Sequence, residues 1–82
     1  MPEALLSLAE VSFDSADYAA ARSYFIRFSQ GNTSPLTSEN LWLAVRIERK
    51  MGDRKAEERY AAELRQRFPD ARETQMMLQS RS

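Results

Sequence analysis

Between Leu41 and Pro69 the apolar positions fall four residues apart on either side of a single break. Leu43, Ile47 and Met51 keep that spacing before Gly52-Asp53, and Ala56, Tyr60 and Leu64 resume it afterwards. Side chains four apart share one face of a helix, so the segment reads as two helices with facing apolar stripes. Gly52 supplies the left-handed residue that ends the first helix, and Asp53 the side-chain acceptor that opens the second. So short a connection forces the helices to run antiparallel.

The remainder follows the same grammar. Pro2 suits a first helical position, and a helix runs from there to about Asp14 with Leu5, Leu8, Ala9 and Ser12 on one face and Phe13 at its edge. Asp17 caps a second helix, Tyr18 to about Gln30, whose stripe is Ala21, Phe25 and Phe28, flanked by Tyr18 and Tyr24. Gly31 to Leu36 has turn chemistry throughout, and Thr37 or Ser38 caps the third helix, Glu39 to Met51. The fourth runs from the Asp53 cap to about Phe68, where Pro69 stops it. Asp70 with Glu73 resembles a capping box for a fifth helix, with Met76 and Leu78 turned inward as an end cap and fraying in Gln79 to Ser82.

The two hairpins repeat each other. Leu8-Ala9 matches Leu43-Ala44, Ala21 matches Ala56 and Phe25 matches Tyr60, each 35 residues on, while Ala16-Asp17 matches Gly52-Asp53 at 36. A helix-pair period near 34 is the mark of tetratricopeptide repeats. Ala9, Ala21, Ala44 and Ala56 are small where helices must approach closely, and Phe25 and Tyr60 fill the space beside them. The predicted fold is therefore all-α: antiparallel helix hairpins stacked as a right-handed tetratricopeptide-like superhelix. Repeat one takes 3–30, repeat two 38–68, and a capping helix 70–79.

Composition narrows the function. The chain has 82 residues, 43% hydrophobic and 29% charged, with no Cys and no His, which suits one small domain without disulfide or zinc support. Its longest apolar run, Leu41 to Val45, is far too short to span a membrane. Net charge is zero, yet residues 1–41 carry two bases against five acids, or −3, and the remainder carries +3. The bases of the fourth helix are interleaved with acids (Arg54 with Glu58, Arg59 with Glu63, Glu63 with Arg67), a solvated surface rather than a nucleic-acid stripe. With no His, Cys, nucleophile motif or Gly-rich phosphate loop, neither an enzyme nor a cofactor or metal site is expected.

Asp17-Tyr18-Ala-Ala-Ala-Arg22, Leu41-Trp42-Leu43 and Arg67-Phe68-Pro69-Asp70 lie within a stretch, residues 3 to about 78, that resembles the C-terminal repeats of the PilF/PilW family of type IV pilus biogenesis lipoproteins. The resemblance implies an all-repeat scaffold anchored to the outer membrane from the periplasmic side, a pilotin that helps the pilus secretin reach the membrane and assemble. Two features depart, the first from the general tetratricopeptide pattern and the second from this family. Ala replaces Gly at positions 9, 44 and 16, and the lipid-modified N-terminal cysteine has no counterpart, so the chain is expected to be a C-terminal part of a longer protein, soluble as given.

In such arrays the first helix of each pair lines a concave surface. The expected groove is formed by Leu6, Glu10, Phe13 and Asp14 of the first helix with Leu41, Trp42, Val45 and Arg49 of the third. It is an apolar wall with an acidic rim, whose Glu10 and Asp14 either form a solvated helix face or pair with Arg49 across the groove. Two occupants fit: an extended or helical segment of a partner protein, with the secretin subunit implied by the resemblance, or a second copy of the chain in a weak homodimer. Packing of Leu41, Trp42 and Val45 within the domain competes with both. Glu10 and Asp14 read as a solvated face rather than an acid–base pair, and Met76-Met77-Leu78 as an end cap rather than an adaptable binding surface.

Ala44→Leu or Ala56→Leu is expected to overpack the helix crossings and lower unfolding stability by about 1–3 kcal/mol in chemical denaturation. Arg49→Glu, on the same reading, changes stability by less than about 0.5 kcal/mol while altering partner affinity.

Overall fold

The computed structural model describes residues 2–31 and 34–80, with side chains from Ala4 onward. Five helices follow in order: α1 (Pro2–Asp14), α2 (Tyr18–Gly31), α3 (Ser38–Met51), α4 (Arg54–Arg67) and α5 (Arg72–Gln79). Helices α1 and α2 form one antiparallel hairpin and α3 and α4 the second. Helix α3 packs on α2, and α5 closes against both α3 and α4. No strand occurs among the described residues. Asn32, Thr33, Arg81 and Ser82, which belong to the expected loop and the expected frayed end, lie outside them.

The local signals act as expected at four of the helix ends. Asp17 Oδ1 accepts from the Ala20 amide at 3.3 Å, and Asp53 Oδ1 from the Ala56 amide at 3.0 Å. Thr37, not Ser38, caps α3 through a reciprocal box: its hydroxyl accepts from the Asn40 amide while its own amide donates to Asn40 Oδ1, both at 3.1 Å. Gly52 takes the left-handed conformation at φ 77°, and Ala16, its counterpart in the first hairpin, does the same at φ 63°. Each is followed by the same backbone bond, Asp17 N–H to Ser12 at 2.8 Å and Asp53 N–H to Glu48 at 3.0 Å.

Helix α5 departs from its expected start. Asp70 caps nothing: the N-cap is Ala71, without a side-chain hydrogen bond. The chain is turned instead by the Ala71 amide donating to the Phe68 carbonyl, which also accepts from the Thr74 hydroxyl. Beginning at Arg72, the helix turns Thr74 and Met77 into the core and leaves Met76 and Leu78 exposed, the reverse of the expected inward pair. The expected end-cap packing therefore passes to Met77.

Two apolar clusters fill the interior. Ala9, Ala21, Phe25, Phe28, Leu43, Ala44 and Ile47 form the first, joining α1, α2 and α3. Leu41, Trp42, Val45, Ala61, Leu64 and Met77 form the second, joining α3, α4 and α5. All four alanines assigned to close approach are buried, and Phe25 meets Tyr60 edge-on with ring centroids 5.9 Å apart. Leu8 and Met51, assigned to facing stripes by their spacing, are exposed instead. Of the three surface ion pairs expected on α4, Glu63 with Arg67 is present, whereas Glu58 engages Arg65 at 3.0 Å.

The hairpins are also clamped by charge. Arg22 of α2 reaches Glu48 of α3 at 3.2 Å and Asp53 at the start of α4 at 2.8 Å. Burial raises the Glu48 carboxyl above its ordinary range against the pull of Arg22. Asp53 is held below its own range, first by the Ala56 amide and then by Arg22. The buried carboxylate is the costly member, so the clamp fixes register more than it adds stability.

Ala16 holds a left-handed conformation that costs an L-residue about 1–2 kcal/mol and glycine almost nothing. Ala16→Gly should therefore raise the unfolding free energy by about 0.5–1 kcal/mol in urea titration, since the entropy that glycine loses on folding offsets part of the gain.

Candidate functional site

Helix ends fix the alignment of the odd-numbered helices. Counted from Pro2, Ser38 and Arg72, the fifth residues are Leu6, Trp42 and Met76, and all three line one cleft of about 420 Å³. The second residues are Glu3, Glu39 and Glu73. Glu39 and Glu73 line the same cleft, and the Glu3 side chain lies outside the described residues. Glu39 and Glu73 stand in the first turns of α3 and α5, where the helix dipole favours negative charge, whereas Glu10 and Asp14 line the cleft from the C-terminal half of α1. Ser38 Oγ donates to Glu73 Oε1 at 3.0 Å and ties α5 to α3 across its far wall.

Arg46 lines the cleft from α3. Its guanidinium lies 5.2 Å from the Phe13 ring centroid on α1 and 5.3 Å from that of Trp42 on its own helix. Both distances fall within cation–π range. Burial lowers its pKa, an effect opposed by the charges of Asp14 and Glu10, and arginine stays protonated throughout the working pH range. Its Nε is buried without a hydrogen-bond acceptor among the described residues. Four carboxylates, Glu10, Asp14, Glu39 and Glu73, share the lining with two arginines, Arg46 and Arg72, so the cleft is acidic overall.

Of the eight residues expected in the groove, Leu6, Glu10, Phe13, Asp14 and Trp42 meet in this cleft. Leu41 and Val45 do not. Both are 0% exposed in the second cluster with Ala61, Leu64 and Met77, so their assignment to a partner surface is corrected. Arg49 does not bridge to Glu10 and Asp14. Its Nε donates to Glu57 at 2.9 Å and its Nη1 to Ser80 Oγ at 3.1 Å, tying α3 to α4 and to the end of α5. Arg49→Glu would set two carboxylates face to face, so the expectation that it leaves stability untouched is withdrawn.

The reason is angular. A helix advances about 100° per residue. The face of α3 centred on Trp42 and Arg46 therefore also carries Glu39 and Leu43, while Leu41 and Val45 turn toward α4. Sequence spacing missed Arg46, although its place one turn after Trp42 was a usable signal. The contribution of Arg72, Glu73 and Met76 follows only from where α5 docks.

The arrangement suits recognition: a ring-stacked cation, an apolar floor and fixed carboxylates. Among the described residues no group of three or more His, Cys, Asp or Glu side chains is placed to hold a metal ion. No helix is long and apolar enough to cross a membrane.

Comparison with known proteins agrees with the fold. PilF of Pseudomonas aeruginosa superposes with a TM-score of 0.88 at 25% identity, over 99% of this chain and 36% of that one. PilW, a widely conserved type IV pilus biogenesis factor, superposes with a TM-score of 0.86 at 28% identity, over 95% of this chain and 35% of its own. The chain spans about a third of the length of both neighbours, and its five helices take the tetratricopeptide-like fold. No protein-family model matches the sequence, and no curated protein matches it either.

Trp42 is the single tryptophan, so its emission reports on the cleft directly. Arg46→Ala should shift that emission to longer wavelength as water reaches the indole, and lower stability by about 1–2 kcal/mol through loss of the two ring contacts.

Proposed function

We propose that this chain is the interaction module of a type IV pilus biogenesis protein, with the cleft between α1, α3 and α5 receiving a segment of a protein partner. The observation that carries the reading is the matched row Leu6, Trp42 and Met76, one residue from each odd-numbered helix on one cleft. It is supported by the superposition on PilW over nearly the whole chain.

The partner segment follows from the lining. Apolar side chains seat against Trp42 and Met76, a basic group meets Glu39 and Glu73, and a backbone carbonyl or other acceptor satisfies the unpaired Nε of Arg46. At the finer level the partner is a pilus secretin subunit, and the protein acts as a pilotin at the outer membrane. The role is binding without catalysis. What supports this is that the cleft's carboxylates surround a stacked arginine, in an arrangement that offers no activated nucleophile.

Tiled peptides covering a type IV pilus secretin subunit, titrated into the chain with Trp42 emission as readout, test the reading. A segment rich in apolar and basic residues should saturate the signal. Met76→Asp, a change at an exposed residue, should weaken that binding by about tenfold and leave the helical circular dichroism unchanged. Failure of every peptide would remove the secretin assignment. Binding indifferent to Met76→Asp would remove the cleft.

A further inference from the structure

The two hairpins meet through α2 and α3, and one charged cluster spans that joint. Glu48 is 4% exposed, and its Oε1 is buried with no hydrogen-bond partner among the described residues. Arg22 approaches Oε2 with Nε at 3.2 Å, yet among those residues its N–H is aligned with no acceptor. The aligned bond of the same guanidinium goes to Asp53, from Nη2 to Oδ2 at 2.8 Å. One arginine thus serves two carboxylates, and the buried one receives the weaker half.

The turn itself does not require a carboxylate there. Ser12 holds the corresponding place in the first hairpin, and its carbonyl accepts from the Asp17 amide as that of Glu48 accepts from the Asp53 amide. Glu48 also lies in the last turn of α3, where the helix dipole disfavours negative charge. Burial raises its carboxyl and Asp53 adds to the rise, while Arg22 and Arg59 oppose it. On α4, Tyr60 faces Glu48 with its hydroxyl raised by burial and then by the charges of Glu48 and Glu63, so it stays neutral from acid to neutral pH.

The cleft depends on this joint. Leu6, Glu10, Phe13 and Asp14 form its α1 wall, and α1 is carried into place by α2, which packs on α3. From α3, Arg46 reaches across to the Phe13 ring at 5.2 Å.

We propose that Arg22, Glu48 and Asp53 form a proton-operated joint between the hairpins that sets how α1 stands over α3 across the cleft. With Glu48 ionised, Arg22 is divided between two carboxylates. A proton taken from solvent by Oε1 removes the buried charge, leaves Arg22 to Asp53, and lets the hairpins close on a neutral side chain. The folded protein holds that proton more tightly than the unfolded chain does. Glu48 therefore contributes stability that is complete below the ordinary glutamate range and is lost as pH rises through its raised folded value. Asp53 has the opposite sign: its contribution is present above the ordinary aspartate range and is lost as pH falls through its depressed folded value. The joint is tightest between the two, in mild acid. It acts on the shape of the cleft and holds whatever the cleft receives.

Carboxyl and side-chain resonances of the isotope-labelled full chain, followed from about pH 7.5 to about pH 4.5, test the joint. The Glu48 carboxyl, assigned by through-bond correlation, should titrate above the ordinary glutamate range. The Trp42 indole and Arg46 Nε signals should move with the same midpoint, and that component should vanish in Glu48→Gln, which keeps every carboxylate of the cleft lining. Over the same range the folded-to-unfolded ratio from urea titration should rise about three- to tenfold for the unaltered chain relative to Glu48→Gln. Asp53→Asn keeps the α4 cap, frees Arg22 for Glu48, and should move the Glu48 midpoint downward, a test that does not depend on Glu48→Gln folding. The proposal is overturned if Glu48 titrates within the ordinary glutamate range, if Asp53→Asn leaves its midpoint in place, or if the Trp42 and Arg46 signals do not follow it. Persistence of the same component in Glu48→Gln would assign it to the cleft's own carboxylates and overturn the joint as well.

Discussion

Burial of α3 on nearly every side is the constraint from which the other contacts follow. Leu41 to Val45 is an unbroken apolar run, and in a helix such a run points in all directions. No single neighbour can cover it. Helix α2 covers Leu43, Ala44 and Ile47, α4 and α5 cover Leu41 and Val45, and the stacked Arg46 covers the ring of Trp42. Each fully buried Leu, Ile or Val is worth about 1.5–3 kcal/mol, so in a chain this short these few side chains are a large share of the stabilising side. The Glu48 carboxylate on the same helix is tolerated because Arg22 arrives from α2 to meet it.

Encircling α3 also shapes the surface. Helices α1 and α5 lie to either side of it, and the space left between them, floored by Trp42 and Leu43, is the cleft. Its walls are held by the Thr37–Asn40 box and the Ser38–Glu73 contact at the lining, and by the reach of Arg49 to Glu57 and Ser80 beyond it. In the proposed role, a cleft fixed in this way loses little entropy when a partner enters. Arg46, between the rings of Phe13 and Trp42, is a positive charge in the lining that packing alone does not require.

The two hairpins are equivalent in backbone before they are equivalent in side chains. Helix starts, left-handed turn residues and aspartate caps all correspond at an offset of 36, from Pro2 and Ser38 to Asp17 and Asp53. The side-chain match at 35 misplaces α1 against α3 by one residue, about 100° around the helix axis. At 36, Leu5 and Ala9 correspond to Leu41 and Val45, which places each pair toward its own hairpin partner. The difference between the repeats then lies in exposure, since Leu8 and Val11 are open where Ala44 and Ile47 are buried.

Sequence alone determined what local physics can determine. Helix spans, the turns at Ala16 and Gly52, the caps at Asp17, Thr37 and Asp53, and the small residues at the crossings were all legible, because each depends on neighbours within about one helical turn. The tetratricopeptide-like fold followed from their repetition, and five of the eight expected groove residues do meet. Tertiary structure decided how each helix is rotated about its own axis. Periodicity places Leu41, Trp42, Val45, Arg46 and Arg49 around one helix without saying which angle faces a neighbour and which faces solvent. That angle sent Leu41 and Val45 to the core, Arg49 to Glu57, and Arg46 to the cleft. It also settled α5, where Asp70 had the right chemistry for a cap. The helix begins instead after Ala71, because the Phe68 carbonyl and Thr74 turn the chain there, and burying Met77 against α4 fixes which face of a short helix points inward.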